Sequence, residues 1–152
     1  MAIKDDKLRD IGLLVLRVGL GSVLFYYGLQ KGFGAFGGSG FQRTLEHFHT
    51  MVGAPTWLGA LAIVSELGGS IAVILGLFTR VAAFGMMSTM AVAAYSGATR
   101  LGVMNGLWNG DPTSPPAVMY PMALMFMALA LVLTGAGSLS LDAKVFKRSK
   151  KG

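Results

Sequence analysis

Residues 54–80 read APTWLGALAIVSELGGSIAVILGLFTR, an apolar run of helix length with one carboxylate, Glu66, near its middle. About 20 apolar residues span the roughly 30 Å hydrocarbon core of a bilayer, and an ionisable side chain inside such a span marks a functional site by default. The reading of this chain therefore turns on what accompanies Glu66.

Outside this run the composition is also that of a membrane protein. Of 152 residues, 53% are hydrophobic and only 13% are charged, which rules out both an ordinary soluble mix and a disordered chain. The formal charge of +6 does not form a nucleic-acid patch, because Lys and Arg sit at the two ends and in short gaps between apolar runs. With no cysteine, there is no disulfide, thiol chemistry or thiolate metal site within the chain.

The polar arm of residues 1–10 precedes an apolar run over 11–30. That run is too long for a signal-peptide core and lacks a small-residue cleavage site, so it reads as a retained helix. A Gly-rich, aromatic loop follows Lys31, and then residues 41–52 form an amphipathic pattern. Phe41, Leu45, Phe48 and Val52 share one side, opposite Gln42, Arg43, Glu46, His47 and Thr50, as in a short helix lying in the interface plane. From 56 to 99 the chain is almost continuously apolar, and a single helix of that length would reach about 65 Å at 1.5 Å per residue. It must turn, and Gly76 to Arg80 is the corner, with Gly76 ending one helix and Thr79 capping the next. Residues 100–116 are dense in turn formers, and Pro115 and Pro116 suit the start of a further helix over 117–134. The expected fold is an all-α, integral-membrane four-helix bundle in one domain over 1–152. Its spans are 11–30, 56–77, 80–99 and 117–134, with a basic tail over 143–152.

Four spans place both termini on one side. The arm, Arg80 and the tail carry nine of the thirteen basic residues, against Lys31, Arg43 and Arg100 on the other side and Arg17 inside the first span. The positive-inside rule makes the termini cytoplasmic and puts the interfacial helix in the first periplasmic loop. Counted from the span ends, Arg17 lies about 9 Å and Glu66 about 16 Å above the cytoplasmic boundary. An Arg17–Glu66 ion pair is therefore expected. Two roles fit it: a clamp that sets helix register, or a carboxylate whose proton affinity Arg17 tunes beside a polar ligand such as a quinone ring. Tyr26, Tyr27, Gln30 and Lys31, near the outer end of the first span, are the expected ligand lining.

Other features carry less. His47 and His49 are two apart, and on a helix they diverge by about 200°, so no shared metal is expected. Met119, Met122, Met125 and Met127 read as adaptable packing. No phosphate-binding glycine loop, dinucleotide fingerprint or nucleophile elbow occurs, so no hydrolytic or nucleotide-driven chemistry is supported.

Several elements in order carry a resemblance: Leu16 to Gly21 leading to Tyr27-Gly28-Leu29-Gln30-Lys31, Glu66-Leu67-Gly68-Gly69 leading to Gly76 to Arg80, then Tyr120-Pro121 and Gly135 to Asp142. Together they resemble the DoxX family of small four-helix bacterial membrane proteins. Tyr27 stands where many members carry His, and Met119 precedes Tyr120-Pro121 where an acidic residue is frequent. The resemblance implies a multi-pass protein of the bacterial inner membrane. Two functions are expected from it: a non-autonomous subunit of a quinone-linked redox system, or a non-catalytic assembly or stabilising partner. No intrinsic cofactor is expected, only a bound quinone. The partners implied are the lipid bilayer and a redox-enzyme or other membrane complex, with a homo-oligomer as a further form and no nucleic acid.

Overall fold

The computed structural model describes residues 2–102 and 116–149, and among these every regular element is helical. Helix α1 (Ala2–Phe33) is followed by a single 3-10 turn (Ala35–Gly37), α2 (Gly40–Met51), α3 (Thr56–Leu75), α4 (Thr79–Leu101), α5 (Met119–Thr134) and α6 (Leu141–Ser149). The polar arm is not separate from the first apolar run. No Gly or Pro interrupts residues 2–11, and the Asp6–Arg9 pair at 3.5 Å links successive turns, so the helix continues through it. The expected tail is likewise helical from Leu141 to Ser149, while Lys150 and Lys151 lie outside the described residues, as do residues 103–115 of the turn-rich stretch expected over 100–116.

Residues 6–33, α3 and α4 are each long and apolar enough to cross a membrane. Helix α5 is equally apolar but has 16 residues. These four pack around one core of Leu20 and Leu24 (α1), Val73 (α3), Ala83, Met86 and Met90 (α4), and Leu124, Ala128 and Leu131 (α5). Their outer faces are apolar too: Val15, Val64, Val81, Phe84 and Leu133 are all well exposed. Helices apolar all round suit a lipid surround, where the outward face need not be polar.

Glycines set how α1 meets α3. A Cβ at Gly21 would meet Ile74, one at Gly28 would meet Leu67, and one at Gly32 would meet Ile63 and Leu67. The pairs 21/74, 28/67 and 32/63 define one antiparallel register, close enough that small residues are required along the seam.

The α3–α4 corner lies at Gly76, as expected, but it is built differently. Gly76 adopts φ 70°, and the amides of Gly76 and Leu77 donate to Val73 O (3.1 Å) and Ala72 O (2.8 Å), which is a Schellman closure. Thr79 does not cap α4; its hydroxyl is buried with no hydrogen-bond partner among the described residues. The cap comes from a distant carboxylate. Phe78 N and Thr79 N donate to Asp142 Oδ1 and Oδ2 at 2.8 and 3.0 Å, and Asp142 N donates to Gly76 O at 2.8 Å. Asp10 accepts from Ser138 N at 3.1 Å and from the Ser138 hydroxyl, so residues 137–142 strap the terminal end of the bundle. Asp142→Ala is expected to cost about 1–2 kcal/mol, the usual value of a lost N-cap. A thermal melt in detergent should show a midpoint several degrees lower, and an unchanged midpoint would mean that the strap contributes nothing.

Candidate ligand cavity and buried ion pair

Glu66 is fully buried on α3, and its partner is Lys31, not Arg17. Lys31 Nζ donates to Glu66 Oε1 at 2.5 Å, while Glu66 Oε2 has no hydrogen-bond partner among the described residues. The glycine register explains the correction. It sets Glu66 level with residue 29 and Arg17 level with Phe78, leaving the two charges about 18 Å apart along the bundle at 1.5 Å per residue. Depths counted from span ends fail because α1 extends well beyond residues 11–30 at the N-terminal side.

Arg17 is buried at the opposite end, where its Nη2 donates to Leu139 O at 2.5 Å. Its Nε and Nη1 have no hydrogen-bond partner among the described residues, but Asp142 is close enough to act on it electrostatically. Arg17 thus belongs to the strap of residues 137–142, whose contacts with Asp10 and Arg17 join positions more than 120 apart in the chain. No local pattern signals it.

Lys31 also stands in the wall of a cavity of about 550 Å³ enclosed by the end of α1, α2, the second half of α4 and the start of α5. Arg43, Thr44 and His47 enter from α2, Thr89, Ser96 and Arg100 from α4, and Pro121 from α5. The other expected lining residues are elsewhere. Gln30 Nε2 donates to the Tyr26 hydroxyl at 3.1 Å, Tyr26 stacks on Phe36 with ring centroids 5.1 Å apart, and Tyr27 faces Tyr120 at 5.7 Å. That stack accompanies the left-handed backbone of Phe36 (φ 54°), a conformation a bulky residue rarely adopts unsupported. Of the four, only Lys31 lines the cavity.

Helix α2 shows why Arg43 and His47 were missed. Part of its apolar side packs within the bundle, with Leu45 and Phe48 against Gly59 of α3. The polar side is not given over wholly to the surroundings: Arg43, Thr44 and His47 form one wall of the cavity. Thr44 is buried, donating to Gly40 O at 2.8 Å and to Lys31 O at 3.2 Å, which ties α2 to the end of α1. The i, i+4 spacing of Arg43 and His47 was a usable signal, since it places both on one face. His49 is exposed and does not line the cavity, in keeping with the divergence of residues two apart on a helix. Burial, then the nearby Arg100 and Lys31 charges, hold the His47 imidazole below the ordinary histidine value.

The family model for DoxX matches residues 12–99, more than half of the chain and all of α2, α3 and most of α1 and α4. The chain belongs to the DoxX family. A relative from Bacillus subtilis (strain 168), named "Putative oxidoreductase CatD", is 29% identical over 147 residues, covering 97% of this chain and 96% of its own length. An uncharacterized protein from Haemophilus influenzae is 39% identical over 99 residues, covering 64% of this chain and 67% of its own length. No solved structure matches. DoxX membership and three helices of crossing length make this a multi-pass membrane protein. The matched region contains Arg17, Lys31, Arg43, His47 and Glu66, whereas Arg100 and the Asp142 strap fall beyond it.

Proposed function

We propose that this DoxX protein is a non-autonomous membrane subunit of a quinone-linked redox system, and that its cavity receives the quinone ring. The observation that carries the reading is the Lys31 ammonium, fixed on the buried Glu66 carboxylate and standing in the wall of a partly apolar cavity. One ammonium N–H is spent on Glu66, which leaves others for a ring oxygen, and the 2.5 Å contact holds the donor in place before the ligand arrives. None of the described side chains carries electrons by itself, so the reducing or oxidising equivalents come from a partner. The name of the Bacillus subtilis relative, "Putative oxidoreductase CatD", favours the same direction.

In this reading α5 completes a fourth, short crossing, both termini face the cytoplasm of a bacterial inner membrane, and α2 lies at the outer interface. The chain works beside a redox enzyme or other membrane complex and within a lipid bilayer, alone or as a homo-oligomer. The second reading, a non-catalytic assembly partner, is favoured by the strap around Arg17, Asp10 and Asp142, whose hydrogen bonds to Leu139, Ser138, Phe78 and Thr79 tie distant parts of the chain together. Lipid and quinone extraction from the protein purified out of native membranes, followed by mass spectrometry, separates the two. Stoichiometric quinone in the native protein and its loss in Lys31→Met/Glu66→Gln, with expression unchanged, is expected. Bulk lipid alone in both, with reduced abundance of a co-purifying complex when the chain is deleted, would transfer the role to assembly.

A further inference from the structure

The redox reading leaves the charge of the cavity unused. On the side of the bundle opposite the termini the chain has three basic residues, Lys31, Arg43 and Arg100, and all three line this one cavity. They come from three different helices, α1, α2 and α4, so the convergence is a product of the fold rather than of a local run. No Asp or Glu lines the cavity among the described residues. Glu66 answers Lys31 from below, and neither Arg43 nor Arg100 makes an ion pair with a described residue.

The hydroxyls of the wall are already engaged. Thr44 donates to Gly40 O and Lys31 O, Ser39 shares a hydrogen bond with Thr44, Thr89 donates to Gly85 O, and Ser96 donates to Ala93 O. The donors left to greet a ligand are therefore the cationic ones and the His47 imidazole. Two guanidinium groups and an ammonium around one cavity suit an oxyanion, and such charge-assisted bonds are roughly twice as strong as neutral ones.

We propose that the outer part of this cavity binds a phosphate-type oxyanion between Arg43 and Arg100, with Lys31 beneath it. The proposal rests on the reading of this cavity as a ligand site, but not on the ligand below being a quinone. The phosphate belongs either to an anionic lipid headgroup, whose glycerol and chains would lie along Phe48, Val92 and Pro121, or to a small free phosphate compound entering from outside. His47 senses the occupant. It shares the cavity with Lys31 of α1, Arg43 of its own helix and Arg100 of α4, while Pro121 of α5 and Ala117 just before that helix are uncharged. With the cavity empty, burial and then the Arg100 and Lys31 charges hold the imidazole below the ordinary histidine value; a bound anion offsets those charges and favours proton uptake. Binding should tighten as pH falls.

The test uses the full-length protein in neutral detergent, stripped of quinone, so that it stands or falls independently of the quinone extraction. Calorimetric titrations compare short-chain phosphatidylglycerol, short-chain phosphatidylcholine and inorganic phosphate at fixed ionic strength. Phosphatidylglycerol binding at least about tenfold tighter than phosphatidylcholine, and weakened about tenfold or more in Arg43→Gln/Arg100→Gln, establishes the site with a lipid headgroup as occupant. Inorganic phosphate bound as tightly, with the same loss in the double variant, establishes it with a free phosphate. Phosphatidylglycerol does not titrate between pH 5.5 and 8, and its affinity should rise about threefold or more on acidification across that range, with the slope abolished in His47→Gln. If the double variant does not purify, that slope and its loss decide the matter. No preference over phosphatidylcholine or chloride, binding retained in the double variant, or a slope that His47→Gln leaves intact would overturn the assignment.

Discussion

Lys31→Met is expected to lower stability by about 3 kcal/mol, with most of the loss recovered in Lys31→Met/Glu66→Gln. The single change removes the only cation among the described residues in contact with a carboxylate that has no exposed surface, and stranding one member of a buried pair typically costs about 3–5 kcal/mol. The lower end applies because the Lys31 side chain keeps 28% of its exposure, and solvent at its end weakens the pair. Replacing both members removes the charge that had to be answered and leaves a neutral amide, so the double variant should stand well above the single one. Melts in detergent followed by circular dichroism read both. A single variant that melts with the native protein, or a double variant no better than the single, would show that Glu66 does not depend on Lys31.

Gly76→Ala is expected to be the most damaging glycine substitution, at about 2–4 kcal/mol. Gly76 stands at φ 70°, where a side chain costs about 1–2 kcal/mol. An added Cβ would also collide with Arg17 Nη1 and lie 2.5 Å from Ser140 Cβ. Neither neighbour has somewhere to go: Arg17 is buried and bonded to Leu139 O, and the Ser140 hydroxyl is held between Gly137 O at 2.7 Å and Ala143 N at 3.1 Å. Gly19→Ala is the matched comparison. A Cβ there meets nothing within 4 Å, and a helix interior prefers Ala to Gly by up to about 1 kcal/mol, so it should be neutral or slightly stabilising. Equal melting temperatures for the two variants would remove the corner from its place as the rigid joint between α3 and the strap.

Both predictions concern features that were half visible in the chain. Glu66 stood out because a carboxylate in an apolar run has to be answered, and Gly76 because a run of 44 apolar residues has to turn. What answers Glu66 was not visible. Counting rise from the span ends treats two helices as sharing boundaries, whereas their relative height is set by Gly21, Gly28 and Gly32 fitting against Ile74, Leu67 and Ile63. Side-chain contact decides that register, and an offset of a few residues exchanges one partner for another. Likewise Thr79 reads as an N-cap by residue type, yet Asp142 takes the position because the strap delivers a carboxylate to the first two amides at the start of α4.

By itself the sequence determined that this is a helical membrane protein, where its apolar runs turn, that α2 has two faces, and that Glu66 needs a partner. These follow from period, length and the cost of burying charge, all of which act locally along the chain. Only the tertiary structure decided that Lys31 is that partner, that Arg17 serves the terminal strap, and that Lys31, Arg43, His47 and Arg100 share one cavity. Their meeting depends on the height and rotation of α1, α2 and α4 relative to one another. Those are settled by packing between helices, where glycine seams and close side-chain contacts act across tens of residues and leave no periodic trace in the chain.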